Sequence, residues 1–191
     1  VYVIVGIVLG ARLGHCLFYE PEYYLKNLLE ILLPIRKVGG VYQFTGFQGL
    51  ASHGATVGVL AAIGLYCRKF KTNFLWVLDR VAVVGPVVAA FIRLGNLMNS
   101  EIYGKPTNGE WGVVFERVDL ISRHPTQLYE AFAYLIIFGI LFYLYKKKPI
   151  KAGNGLLLGF CLALIFIARF IIEFFKENQV DFEQGMALNM G

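Results

Sequence analysis

Apolar residues in this chain come in long blocks separated by shorter polar stretches. A helix crossing a bilayer core of about 30 Å needs roughly 20 such residues. Five blocks meet or approach that length: Val1 to Tyr19, Gly46 to Tyr66, Phe74 to Gly95, Gln127 to Tyr145 and Gly155 to Phe175. A sixth begins at Met186. The pattern predicts an all-α polytopic membrane protein, with five spanning helices plus the start of a sixth in one integral membrane domain over residues 1–191. Val1 opens inside an apolar run with no initiator Met, and the chain stops mid-pattern. It therefore reads as a fragment at both ends.

The polar stretches fix an orientation. Cys67 to Asn73 carries Arg68, Lys69 and Lys71, and Lys146 to Asn154 carries Lys146, Lys147, Lys148 and Lys151. Short, densely basic loops stay in the cytoplasm, so the segments before Gly46, after Gly95 and after Phe175 fall outside. Residues 20–45 are too broken to span, with Pro21, Pro34 and Gly39-Gly40 among leucines. They are expected to form a helical arm in the outer interface. Residues 100–122, with Pro106, Gly109, Gly112 and a possible strand at Val113 to Phe115, predict a small periplasmic head.

Composition agrees with the pattern: 57% of residues are hydrophobic and 16% charged, against about a quarter charged in an average soluble domain. A net charge of +5 would suit nucleic acid, but its concentration in two short loops is a topology signal, and no nucleic-acid partner is expected. Cys16, Cys67 and Cys161 lie in or beside apolar segments without metal-type spacing, as small buried hydrophobes do.

In this topology Arg12, His53, Arg93, His124 and Arg169 all fall in the outer half of the membrane or at its outer surface. Charged groups at that depth are costly without a partner or a task, and their common level suggests a shared polar cavity. Each has a plainer reading. Arg169 and Glu173, four residues apart, can pair on one helix face. Arg93 can snorkel to headgroups. Arg12 fits an ion pair as well as a site. His53, between Ser52 and Gly54, reads first as a hydrogen-bonded core histidine. Gly46, Gly49, Gly54 and Gly58 suit close helix packing. Taken jointly, Arg93 and Arg169 are suited to hold a lipid phosphate through charge-assisted hydrogen bonds, with Asn96 one helical turn from Arg93 if the helix continues. A neutral His53 beside them would take a proton from a nucleophile. No Ser-His-Asp set, HExxH or His/Cys metal cluster occurs, so neither metal nor cofactor is expected.

Four blocks carry a family resemblance. Gly10-Ala-Arg-Leu-Gly-His-Cys-Leu-Phe-Tyr19 resembles an early GGRxGYxxFY run, and Ser52-His-Gly-Ala55 an HGG block. Arg93-Leu-Gly-Asn-Leu-Met-Asn-Ser-Glu-Ile-Tyr-Gly104 is similar to a GRxGNFxNxExxG signature, and Arg123-His-Pro-Thr-Gln-Leu-Tyr-Glu130 to RHPSQLYE. Arg169-Phe-Ile-Ile-Glu-Phe-Phe175 completes the order. Together they resemble the prolipoprotein diacylglyceryl transferase family of the bacterial inner membrane, normally of seven spans. Ile92, Leu97 and Ala55 depart from its usual Gly, Phe and Gly, and His15 from its common Tyr.

The resemblance implies a multi-pass enzyme with its active site toward the periplasm and two substrates, phosphatidylglycerol and a preprolipoprotein signal peptide bearing a lipobox cysteine. The cysteine sulfur takes the diacylglyceryl group as a thioether and glycerol phosphate leaves. His53, Arg93 and Arg169 would be catalytic. Arg93, Asn96, Glu101, Gly104, Arg12 and Glu173 would bind substrate or shape its site, with Asn99, His124 and Gln127 in support. The bilayer is itself a partner, and the outer arm a candidate guide for lipid or peptide. The alternative from another class is a small anion or lipid transporter with an outer-leaflet phosphate site. It would call for polar residues through the full membrane depth, whereas the inner halves here are apolar apart from Asp79 and Arg80.

Overall fold

The computed structural model describes residues 1–33, 35–38, 41–44, 46, 49–109, 111–147 and 153–177. The predicted start of a sixth helix at Met186 lies outside them, as do Lys148 and Lys151 of the second basic loop. The chain divides into two compact units, Val1–Val77 and Leu78–Gly191.

In the first unit, α1 (Tyr2–Phe18) leads to two short helices, α2 (Pro21–Lys26) and α3 (Leu29–Leu32). A hairpin of β1 (Ile35–Val38) and β2 (Val41–Phe44) follows, then α4 (Ser52–Phe70). The hairpin is antiparallel and pairs Ile35 with Phe44 and Val38 with Val41. Residues 20–45 are thus two short helices and a hairpin, where the sequence reading expected a helical arm. The signal was there: Ile-Arg-Lys-Val and Val-Tyr-Gln-Phe flank a two-residue Gly-Gly, the spacing of a tight hairpin turn. The second apolar block also starts late. Gly46 and Gly49 take positive φ angles of 72° and 80° and turn the chain before α4 begins at Ser52.

Packing of α1 on α4 is backbone to backbone. A Cβ on Gly6 would lie 2.6 Å from the Gly58 carbonyl oxygen, and one on Gly14 would lie 2.7 Å from Gly54 Cα. Added carbons on Gly10, Gly54 or Gly58 would press on the carbonyls of Gly54, Gly10 and Gly6 respectively. Close packing was expected for Gly54 and Gly58. The matching row on α1, one glycine every four residues, is the part the sequence reading left out. Small residues at that spacing let helices approach where lipid gives no hydrophobic drive between them. Gly49 serves differently, since the His15 ring occupies the space its Cβ would take.

The second unit opens within α5 (Phe74–Asn99) and continues through a small head to α6 (Thr126–Lys146) and α7 (Leu156–Glu173). These three helices are long and apolar enough to cross a membrane, and α1 is a shorter apolar helix of 17 residues. Small and aliphatic side chains fill the core between them, among them Ala82, Val83 and Ala90 of α5, Ile137 and Leu141 of α6, and Leu157 and Cys161 of α7. Their outer faces carry Phe132, Phe166 and Phe170 exposed, a surface suited to lipid rather than water. Cys16, Cys67 and Cys161 are free and buried, as their apolar settings predicted.

The helix ends are held by specific groups. Asp79, fully buried on α5, accepts the backbone N–H groups of Gly153 (2.7 Å), Gly155 (3.1 Å) and Leu158 (3.0 Å). It thereby supplies acceptors to the N-terminus of α7, whose first amides have no intrahelical partner. At its other end α5 runs past Gly95 to Asn99 and stops at Ser100, which takes a φ of 59°. The Glu101 N–H closes back on the Asn96 carbonyl at 2.9 Å, the six-to-one bond of a left-handed helix stop. In the head, β3 (Val113–Val114) pairs antiparallel with β4 (Ser122–Arg123), close to the expected strand.

Candidate functional site

The continuation of α5 to Asn99 puts Arg93 and Asn96 on one face. Arg93 Nη1 donates to Asn96 Oδ1 at 3.4 Å, and Asn96 Nδ2 donates to Glu101 Oε2 at 2.9 Å. Glu101 sits in a tight reversal between Ser100 and Ile102, both at positive φ (59° and 56°). For a β-branched residue such as Ile102 that backbone is strained, and such strain gathers where surrounding contacts fix the local geometry. Here the contacts come from the start of α6. Gln127 Nε2 donates to the Glu101 carbonyl at 2.7 Å, and Thr126 Oγ1 to the Ile102 carbonyl at 3.0 Å. Ile92, the bulky residue beside the arginine, is 58% exposed and points away from the bundle, so it does not crowd Arg93.

Arg93 also meets charges from two other segments. Its Nε lies 2.5 Å from Glu130 Oε2 on α6. The other Glu130 oxygen lies 3.1 Å from Lys176 Nζ, just past α7, and Lys176 is 3.2 Å from Glu173. The contacts to Glu130 are ion pairs whose angles do not meet those of hydrogen bonds. Tyr134 lies buried one turn further along α6. Arg169 stands on α7, one turn before Glu173, and is partly buried. Glu130 and Lys176 were given no role from sequence. The available signal was a carboxylate inside an apolar helix, which needs a partner.

Gly104 and the 123–130 block form the frame on the head side. The Gly104 N–H donates to the His124 carbonyl at 2.9 Å, and Gly104 forms an isolated antiparallel bridge with Lys176. Its missing side chain matters: a Cβ would lie 2.6 Å from both His124 Cβ and the Phe175 carbonyl oxygen. The His124 ring contacts Trp111, Tyr129 and Phe175, with Nδ1 at 3.2 Å from the Tyr129 hydroxyl. Arg123 ties the head together, reaching Asp119 (2.6 Å), Glu177 (3.0 Å) and the Gly104 carbonyl (3.4 Å). The Arg123 hydrogen bond, helped by the Ile121 N–H, holds the Asp119 carboxyl below its ordinary range, and Asp119 in turn raises Arg123. Asn99, placed among the supporting residues, is the last residue of α5.

Arg12 and His53 belong to the first unit. Arg12 is 6% exposed and lies 4.9 Å from the Tyr24 ring centroid. Its nitrogens donate to the carbonyls of Ile31 (3.2 Å), Gly49 (3.3 Å) and Glu30 (2.5 Å). It thus binds the turn before α4 and the α3 segment to α1. His53 is exposed in the first turn of α4. It lines an apolar groove of about 770 Å³ along α1 and α4, so it is not the enclosed core histidine of the plainer reading.

The family model described as prolipoprotein diacylglyceryl transferase matches residues 1–191. A Bacteroides fragilis protein named phosphatidylglycerol–prolipoprotein diacylglyceryl transferase is 56% identical over 191 residues, which is all of this chain and 69% of that relative. Relatives of the same name from Tolumonas auensis and Porphyromonas gingivalis are 49% and 45% identical, each again matched by the whole chain over 69% of its own length.

Proposed function

The chain belongs to the prolipoprotein diacylglyceryl transferase family, and from that premise we infer that it transfers the diacylglyceryl group of phosphatidylglycerol to prolipoproteins, the first step of their maturation. It is a transferase and a multi-pass membrane protein. Nothing among its relatives supports the transporter alternative.

The acceptor is the lipobox cysteine of a preprolipoprotein signal peptide. Its thiolate attacks the glycerol carbon that bears the phosphate. A C–S bond forms, the C–O bond breaks with its electron pair staying on oxygen, and glycerol phosphate leaves. The thiol proton goes to His53. Only the thiolate is a competent nucleophile, and an accessible imidazole suits that transfer. Arg93 and Arg169 bind the lipid phosphate and stabilise the charge that builds on it as the bond breaks. Asn96 and Glu101 hold Arg93, and Glu173 lies in the charge network beside it. Gly104, Asn99, His124 and Gln127 fix the frame. Arg12 acts on the substrate side through the arm it anchors.

The observation that carries this reading is the setting of Arg93, which shares a face of α5 with Asn96, pairs with Glu130 and keeps 15% of its side chain exposed. An arginine held in place with an open side suits an anion bound through charge-assisted hydrogen bonds, and a phospholipid brings its phosphate to that depth. We place five spans, α1, α4, α5, α6 and α7, in the bacterial inner membrane. The basic loops lie in the cytoplasm and the head and arm on the periplasmic side.

The test is transfer from phosphatidylglycerol vesicles to a lipobox peptide, with the cysteine replaced by serine as the control. Product is expected with cysteine and not with serine. Arg93→Gln is expected to lower kcat/KM by about 10²–10³-fold, as loss of a main electrostatic stabiliser does. His53→Asn should abolish transfer, and normal turnover by that variant would remove His53 as the base. Anion movement without transfer would overturn the enzyme reading.

A further inference from the structure

Arg93, Glu130, Lys176 and Glu173 form a line of alternating charge inside the second unit, and the transfer chemistry above uses only its two ends. Glu130 has no exposed surface and Lys176 is 1% exposed. Burying such groups costs several kcal/mol per ion by order of magnitude, offset only by close partners. Both sit far from each other in sequence, on α6 and beyond α7, yet their charges meet at 3.1 Å.

The geometry at Arg93 gives the pair a direction. Glu130 Oε2 lies 2.5 Å from Nε of the guanidinium. Asn96 approaches Nη1 at 3.4 Å. An arginine binds phosphate best through two parallel N–H groups of its fork, so an ion pair that holds the group in place limits where those donors can lie. The Arg93 side chain is 15% exposed, so it has an open side as well as an anchored one. A carboxylate beside a phosphate anchor carries a penalty, because its negative charge opposes the anion. Lys176 offsets that charge from the other oxygen, and Glu173 balances Lys176.

We propose that Glu130 is a positioning residue for Arg93, holding its guanidinium in place through their ion pair, and that Lys176 offsets the Glu130 charge so that the carboxylate does not repel the lipid phosphate. The proposal rests on Arg93 being the phosphate anchor.

Four variants of the protein in phosphatidylglycerol vesicles separate positioning from simple stability: Glu130→Gln, Lys176→Met, the double variant, and Glu130→Asp. Each single neutralisation removes one partner from a buried charge network and should lower Tm. The double variant removes both charges but leaves Glu173 without Lys176, so it should recover part of the lost Tm, while its kcat stays about 10- to 100-fold below wild type because the guanidinium is no longer held. KM for phosphatidylglycerol should change less than kcat. Glu130→Asp keeps the charge but withdraws it by one methylene, so Tm should hold while kcat falls. Recovery of both Tm and kcat in the double variant overturns the proposal. If the double variant does not fold, Glu130→Asp decides: full kcat overturns the proposal, and lowered kcat at unchanged Tm supports it. A wild-type protein that makes no thioether product would instead overturn the assignment of the site itself.

Discussion

No side chain fits at Gly104. The sequence marks it as the end of the signature, and the resemblance places it among substrate-binding residues, but its surroundings give it a backbone task. It bridges Lys176 and donates to His124, and an added methyl would press on His124 and the Phe175 carbonyl at 2.6 Å. Two of the three nearest atoms are backbone, so relief would require the segments themselves to move. Gly104→Ala is therefore expected to lower stability by about 1–3 kcal/mol, the usual penalty of overpacking, seen as a lower Tm in detergent alongside loss of transfer. Unchanged Tm with lost activity would instead put Gly104 against the lipid. Ile102 tests the same turn from the other direction. At a φ of 56° it sits where glycine is at ease and a β-branched residue is not. Ile102→Gly is expected to retain more stability than Ile102→Ala, although glycine buries less. The neighbouring Arg93–Asn96 pair was readable beforehand because three residues along a helix is a fixed geometric relation. Glu130 and Lys176 were not, because their relation to Arg93 exists only once three segments are assembled.

Helix-scale features divide by how local their causes are. The apolar blocks of α5, α6 and α7 were legible to within a few residues because hydrophobic length is a property of each block alone. The ends were less so: α4 starts six residues after its apolar block, since positive φ at Gly46 and Gly49 favours a turn over a helix. The hairpin of β1 and β2 lost out to a helical reading because its leucine-rich neighbours at 25–33 dominated the pattern. Asp79 looked like an unexplained charge in an apolar helix. Its cause lies more than seventy residues away, in the three amides that begin α7. Asp79→Ala would leave those amides unpaired in the interior, at about 1–3 kcal/mol by the cost of an unsatisfied buried donor. Asp79→Asn keeps one carbonyl acceptor and should lose less. Thermal unfolding of the two variants, with proteolysis of the α6–α7 loop as the local probe, is expected to rank wild type above Asn above Ala.

At the scale of the molecule, the distribution of charge governs how the chain meets the bilayer. Its +5 excess gathers in two loops, Cys67 to Asn73 and Lys146 to Asn154, while the head pairs its Arg123 with Asp119 and Glu177. Basic residues resist translocation and acidic ones contribute little to orientation. The loop at Asn154 should therefore face the cytoplasm and the head at Glu116 the periplasm. Both positions are exposed, and the native cysteines are buried, so single substitutions report with little background. In right-side-out membrane vesicles Glu116→Cys is expected to react with a membrane-impermeant maleimide, and Asn154→Cys only after the membrane is opened. The opposite result would put the head, and with it Arg93, on the cytoplasmic face. It would separate the phosphate anchor from a signal peptide presented outside, and the transfer chemistry assigned to the site would lose its acceptor.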